Sequence, residues 1–316
     1  MTVQLPLASP QRFVSVAEAF RARAHESHIE RVSWGAPQDL PGVIADAFGS
    51  LLVVTLYAPG STDVADEWGA ALEKVWHGKP WILKTRGTSA TDGYAIRMGV
   101  TPAPTPLIAQ ESGVHFEIGT DPRHDFGVFP DAAVARQAVR AEARGRNVLN
   151  LFSYTCGFAL AALAGGASSA CNVDPSRDYL TWGKRNAAVN GFDFRVIPDT
   201  AQAFLRRQAR RLEKGGAPEF DFVVADPPAF GVGRDADRLL RTFWPEMADL
   251  IGAMAPARIV LLFNDRHFRE WNDVGAFVQK KFGSAYDAQW LEALPKESPA
   301  DPFYLPPQTV VLRRRT

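Results

Sequence analysis

The chain has 316 residues, enough for two domains of ordinary size, and its 46% hydrophobic and 22% charged residues are the balance of a folded globular protein. No apolar run approaches the roughly 20 residues that a membrane helix needs, and Cys156 and Cys171 are too few for a disulfide framework and lack a CxxC metal pattern. The formal net charge is +0, so a nucleic-acid partner would have to be held by a local basic patch and not by the field of the whole molecule.

The start, MTVQLPLASPQRF, lacks the charged-then-apolar layout of a signal peptide, which makes the cytoplasm the expected location. Residues 1–130 read as a smaller α+β domain, with substrate recognition as its expected role. Within it, SLLVVTLYA (50–58) is β-branched and apolar and predicts a buried strand. DVADEWGAALEKVW (63–76) places Val64, Trp68, Ala71, Leu72 and Val75 on one helical face. KPWILKT (79–85) and GVHFEIG (113–119) predict further strands, and TPAPTP (101–106) a proline-rich connector.

Residues 131–316 change rhythm. NVLNLF (147–152) predicts a strand, and GFALAALAGG (157–166) a short helix stopped by glycines. SACNVD (169–174), FRVIP (194–198), FDFVVAD (220–226) and ARIVLLF (257–263) predict strands. Each is followed by a helical stretch, at 176–191, 199–216, near 235–253 and near 266–281. This alternation predicts an α/β fold with a parallel, doubly wound sheet. The last strands, about 285–291 and 308–313, are joined by a linker too rich in proline for a crossover helix, so the final strand is expected to be antiparallel.

Ligands of such sheets bind beyond the carboxyl ends of the strands, at the point where strand order reverses. After the first strand comes NLFSYTCGF, in which Gly157 opens a helix whose N–H groups could face an anion. With one glycine only, it is not a GxGxxG dinucleotide fingerprint. After the second strand comes Asp174 in NVDPS. It is either the acceptor for a ribose diol or an N-cap of the next helix. Asp199 in IPDTAQ is an N-cap, or lies beside an adenine amine. The fourth strand ends in ADPPAFG. Asp226 is an acceptor, Pro227 and Pro228 have fixed φ and no N–H, and Phe230 can stack on a flat base. That corner reads as a reaction site for an exocyclic amine, against the plain alternative of a tight exit turn.

Together VLNLFSYTCGF, NVDPS…RNAAVNG and FDFVVADPPAFG resemble class I S-adenosylmethionine-dependent methyltransferases. Within these they resemble the large-subunit ribosomal RNA methyltransferases whose first loop reads NLFSYTGGF and whose fourth strand ends DPPxF. DLPGVIADAFGSLLVV (39–54) is similar to that family's GLPGLIVDRYGDVLVV, and DFGVFPD (125–131) to its TGFFLDQR segment. The resemblance runs over roughly residues 28–316. It implies a Rossmann-like fold with S-adenosylmethionine as cofactor. Leu151, Phe152, Ser153, Tyr154, Thr155, Cys156 and Gly157 would wrap its methionine part. Asp174 with Ser176 would hold the ribose, Asp199 would lie by the adenine, and Phe129 would border the pocket. Asp226, Pro227, Pro228 and Phe230 would face the methyl transfer.

Three departures qualify the substrate. Many relatives begin with an RNA-binding PUA domain, which is expected to be missing here and weakens RNA as the substrate. Cytosine-C5 members carry a cysteine nucleophile in TFSCS after strand five. Here that stretch is LLFNDRHF (261–268), which argues against carbon methylation. Cys156 replaces a usual glycine and reads as a pocket wall, Ala132-Ala133 replace Gln-Arg, and Cys171 reads as core.

The expected reaction is methylation of a nucleobase nitrogen in RNA, most of all ribosomal RNA, with no metal and no membrane. The alternatives are a small molecule or a protein side chain as substrate, or a non-catalytic scaffold. Arg234, Arg266 and His267 follow strands of the active edge and are the candidate substrate contacts. The cluster Arg206, Arg207, Arg210 and Arg211 reads as a solvated helix face, and RRRT (313–316) either touches phosphates or keeps the last strand soluble. The oligomeric state is not written in the sequence.

Overall fold

The computed structural model describes residues 8–25, 27–58, 61–86, 94–100, 106–121, 125–228, 234–264, 271–295, 298–301 and 304–316, with backbone alone for 234–241 and 271–273. The chain divides into two compact units. The first comprises residues 1–131 with 294–305, and the second residues 132–293 with 306–316. Among the described residues no helix is long and apolar enough to cross a membrane.

The first unit begins with α1 (Pro10–Arg23). The Ser9 hydroxyl caps it by accepting the Arg12 N–H, and Pro10 takes the first position, where a missing N–H costs nothing. Strands β1 (Ile29–Trp34), β2 (Val43–Phe48) and β3 (Leu51–Leu56) pair antiparallel in succession. Helix α2 (Ala65–Val75) then crosses over to β4 (Trp81–Arg86), which lies parallel to β3, and β5 (Tyr94–Met98) closes the sheet antiparallel. Trp68 and Leu72 of α2 and Phe13 and Phe20 of α1 pack on Leu52 and Val54. Hairpin β6 (Leu107–Glu111) and β7 (Val114–Ile118) turns on Ser112-Gly113, both at positive φ as a two-residue turn demands.

Segment 294–305 leaves the last hairpin of the second unit and is held within the first. The Asp301 carboxylate accepts the N–H groups of Ala36 and Gly42, each at 2.8 Å. The Tyr304 hydroxyl donates to Asp131 and accepts from Arg31, whose guanidinium is doubly bonded to Asp46 at 2.7 and 3.0 Å.

The second unit runs α3 (Ala133–Glu142), β8 (Asn147–Leu151), α4 (Gly157–Ala164), β9 (Ser169–Asp174), α5 (Arg177–Val189), β10 (Arg195–Pro198), α6 (Ala201–Glu213) and β11 (Phe222–Ala225). It continues with α7 (Arg234–Ala253), β12 (Arg258–Phe263), α8 (Trp271–Phe282), β13 (Tyr286–Leu291) and β14 (Gln308–Arg314). The sheet order is β10-β9-β8-β11-β12-β14-β13, parallel except for β14, which runs antiparallel between β12 and β13. The doubly wound sheet and the antiparallel last strand are therefore both present.

Alternate residues serve the two faces. Leu149, Leu151, Val223 and Leu261 pack under Phe204, Trp244, Met247 and Val278 of α6, α7 and α8. Val148, Phe222, Val224 and Val260 pack on Val139, Phe158 and Ala162 of α3 and α4. A strand buried on both sides has no polar face, which is why these segments are nearly continuous apolar runs. Each such Leu, Val or Phe contributes about 1.5–3 kcal/mol by leaving water. Order reverses at β8, which has β9 on one side and β11 on the other. The carboxyl ends of these strands therefore make the switch point at which a ligand site belongs.

The terminal arginines are structural. Arg313 and Arg258 both donate to the Glu142 carboxylate, Arg314 to the Ala255 carbonyl and Arg315 to Asp287.

Candidate active site

The loop after β8 is bent by three non-glycine residues in the left-handed region, Phe152 at φ 56°, Tyr154 at 47° and Cys156 at 68°. Such residues each cost of order 1 kcal/mol or more and persist where surrounding structure holds them. Here the Ser153 N–H is held by the Val173 carbonyl at 3.1 Å, and the Cys156 N–H by the Ser153 carbonyl at 2.7 Å. Asn186 of α5 donates to the Thr155 carbonyl at 3.2 Å. The loop delivers the chain to α4, whose N-cap, Cys156, makes no side-chain cap bond. The first N–H groups of α4 thus remain available to an anion.

Cys156 itself is fully buried, and burial pushes its thiol up to about 12. A thiol raised in this way stays protonated near neutral pH, in keeping with a packing role. A Cβ at Gly183 would stand 2.4 Å from its sulfur, so α5 carries a glycine where Cys156 needs room. Cys171 in β9 is also buried, with the Arg195 guanidinium on its sulfur at 3.2 Å.

Asp174 ends β9 and is 8% exposed. Its Oδ2 accepts the Tyr154 N–H and its Oδ1 the Ser176 N–H, both at 2.9 Å. Burial raises its pKa above the ordinary aspartate value, and these two bonds pull the other way. Asp174 is not the cap of α5. That is Ser176, whose hydroxyl accepts the Tyr179 N–H at 3.2 Å. Nor does Asp199 cap α6, because Thr200 does, accepting the Ala203 N–H at 3.3 Å. Asp199 instead pairs with Arg207. The neighbouring Arg206 pairs with Glu246 and Arg211 with Glu219, in keeping with a solvated helix face.

At the end of β11 the Asp226-Pro227 corner meets Asn264, the residue after β12. The Asn264 amide donates to Asp226 Oδ1 at 2.6 Å and to the Pro227 carbonyl at 2.8 Å. Asn264 is not marked by any motif in the sequence. Its one signal was that it stands where the cytosine-C5 relatives carry their cysteine segment.

The structure brings together Leu151 through Gly157, Asp174 and Ser176 by hydrogen bonds, and sets Asp226 and Pro227 just past the end of β11, the strand paired with β8. Pro228 is exposed. Phe129 belongs to the first unit and is 47% exposed. Phe230, Arg266 and His267 lie outside the described residues, as does the side chain of Arg234, which opens α7.

These residues fit S-adenosylmethionine. The Ser153 hydroxyl is buried and, among the described residues, has beside it only the Cys156 thiol, a weak partner, so a polar ligand group would satisfy it better. The open end of α4 suits a carboxylate, and the Asp174 oxygens retain lone pairs for ribose hydroxyls.

Comparison with known proteins points the same way. The model of the S-adenosylmethionine-dependent methyltransferase family matches residues 36–254. Ribosomal RNA large subunit methyltransferase I of Erwinia tasmaniensis is 32% identical over 211 residues, 63% of this chain and 51% of that protein. Ribosomal RNA large subunit methyltransferase K/L of Psychrobacter sp. is 37% identical over 123 residues, 39% of this chain and 15% of that protein. The chain thus spans about half or less of these relatives. Among solved structures, a Streptococcus mutans protein assigned as a SAM-dependent methyltransferase superposes with a TM-score of 0.74 at 20% identity, covering 99% of this chain and 83% of that one. The SAM-dependent methyltransferase from Agrobacterium tumefaciens gives 0.63 at 22%, covering 92% and 91%. At these identities the structural likeness speaks for the fold.

Proposed function

The chain belongs to the S-adenosylmethionine-dependent methyltransferase family, and on that premise we propose that it methylates a nucleobase nitrogen in RNA, with ribosomal RNA the expected substrate. The observation that carries the reading is the corner at the end of β11. The Asp226 carboxylate and the Pro227 carbonyl converge on a single amide nitrogen, 2.6 and 2.8 Å away. Two acceptors aimed at one point are what an amino nitrogen needs. Bonds from its hydrogens localise a lone pair that is otherwise delocalised into the ring. The names of the two ribosomal RNA methyltransferases above support RNA as the substrate class.

S-adenosylmethionine, when bound, supplies a methyl group on sulfonium as the electrophile. The chain's own residues hold and align. Asp174, Ser153 and the α4 N-terminus would hold the cofactor, and the corner would orient the attacking nitrogen, an alignment that itself accelerates transfer. A base in a helix would first be flipped out, at a cost of a few kcal/mol. Carbon attack is disfavoured because it needs a thiolate, and Cys156 and Cys171, the chain's two cysteines, are both buried. Residues 1–130 would recognise the substrate, with Arg234, Arg266 and His267 near phosphates. A cytoplasmic location fits that task.

The test is transfer of labelled methyl from S-adenosylmethionine to RNA from cells lacking the gene. Label on a base nitrogen is expected. RNA that stays unlabelled sinks the reading.

A further inference from the structure

One nitrogen, Asn264 Nδ2, donates to both acceptors of the corner. A carboxamide NH2 is planar and conjugated, with two in-plane hydrogens, and the amino groups of adenine, cytosine and guanine share those features. We propose that Asn264 is a resident stand-in for the target amine. It occupies the acceptor pair in the free protein and gives way when the base enters, so the atom methylated is an exocyclic amino nitrogen and not a ring nitrogen. This rests on the reading above and narrows it.

Three features carry the proposal. The first is polarity. A ring nitrogen such as adenine N1 or guanine N7 brings a lone pair without hydrogens and sets acceptor against acceptor, and guanine N1 or uracil N3 brings a single hydrogen, enough for one of the two acceptors. An amine brings two hydrogens to the point where Asn264 now brings them, and as its nitrogen took the methyl and the C–S bond broke onto sulfur, one of those hydrogens would leave as a proton along its bond to the Asp226 carboxylate.

The second is conservation of bonds. Pro227 is buried and Asp226 partly so. Each acceptor would lose a hydrogen bond if Asn264 left and nothing replaced it, at a cost of up to about 1–3 kcal/mol. Exchanging one NH2 for another keeps both satisfied throughout, and the displacement costs little on that account.

The third is position. Asn264 follows the last residue of β12, beside β11 in the sheet, and it is partly exposed. A displaced carboxamide there is taken up by water. The arrangement also sets selectivity, since an incoming amine must outcompete an amide already in place. A base held only by the corner loses, whereas one delivered by contacts elsewhere on the RNA wins.

Steady-state kinetics of the full chain on RNA, with Asn264→Ala and Asn264→Leu, test this directly. Removing the competitor lowers the KM for RNA by about three- to tenfold, the worth of a modest hydrogen-bonding difference. Calorimetry with S-adenosylmethionine gives an unchanged Kd, which verifies that the variants are folded with their cofactor site intact. Mass spectrometry of the wild-type product places the methyl on an exocyclic nitrogen. Two results overturn the proposal: a fall in kcat with no fall in KM, which makes the amide a brace for the corner, or a ring-nitrogen product. Wild-type protein that binds the cofactor and labels no RNA is a different failure. It removes the functional reading itself, and this inference with it.

Discussion

Asp174 Oδ2 accepts the backbone N–H of Tyr154 at 2.9 Å, joining the end of β9 to the bent loop after β8. The bond spans 20 residues of sequence and makes one acid do two tasks. It pins a loop whose backbone is otherwise unfavourable, and it leaves the carboxylate at the switch point of the sheet.

Asp174→Ala should therefore show both losses. Two part-buried N–H groups, of Tyr154 and Ser176, lose their acceptor, costing up to about 1–3 kcal/mol of stability. Affinity for S-adenosylmethionine should fall by at least about tenfold, equivalent to one good hydrogen bond to a charge. Thermal melts and calorimetry separate the two effects. A stability loss with unchanged affinity would reduce Asp174 to a loop pin.

Cofactor affinity should also depend on pH through this group. Burial raises the Asp174 pKa above the usual 3.8. Protonation in the folded state thus begins at a pH where an ordinary aspartate is still charged. For stability, the raised value means that the charged form is a net cost, relieved as pH falls through the folded pKa toward 3.8. For binding the sign is opposite, because the protonated carboxyl has lost acceptor capacity. Affinity should weaken with acidification in that window, and Asp174→Asn should abolish the dependence.

Cys156 and Gly183 should be coupled. Gly183→Ala places a methyl 2.4 Å from the cysteine sulfur and should destabilise by about 1–3 kcal/mol, as overpacking does. In a Cys156→Gly background the clash with the sulfur is gone and only a 3.3 Å approach to the Thr155 carbonyl carbon remains, so the same change should be close to neutral, with the helix-propensity gain of Ala over Gly, about 1 kcal/mol, offsetting that contact. Denaturant unfolding of the four proteins in the cycle measures the coupling. Additive effects would show that the two positions do not interact.

Glu142 accepts from both Arg258 and Arg313 and ties α3 to strands β12 and β14. Burial alone would raise its pKa, but the bonds from Arg313 and Arg258 outweigh it and hold the carboxyl below the usual value. A depressed folded pKa contributes stability that is fully present above 4.5 and lost as pH falls through the folded value. Glu142→Gln should lower unfolding free energy by about 1–3 kcal/mol near neutrality. The gap between variant and wild type should close in acid. A gap that persists there would mean that the charge is not its source.

The legible parts of the fold were those with local causes. Strands β8, β9, β11 and β12 announce themselves as apolar runs because both faces are buried, and the proline-rich stretch before β14 gave away the reversed last strand. Asp174 and Asp226 were legible because a strand end is a position that sequence can mark. Asn264 was not, since its meaning comes from the pairing of β11 with β12, which brings it to a corner 37 residues away in sequence. The docking of Asp301 was equally hidden. It depends on Gly35 at φ +84°, where a Cβ would stand 1.9 Å from the carboxylate, and nothing in either stretch names the other. Caps failed more narrowly. Asp199 and Thr200 are both good cap residues, and only the backbone shows that the second one accepts.

The central claim is methyl transfer to RNA through the Asp226 corner, and nucleoside mass spectrometry of ribosomal RNA tests it most directly. RNA from a strain lacking the gene is compared with RNA from strains restored with the wild-type chain or with Asp226→Ala. The account predicts one N-methylated nucleoside absent in the deletion, recovered with the wild type and still absent with the variant. An unchanged nucleoside profile in the deletion, or full recovery with Asp226→Ala, would contradict it.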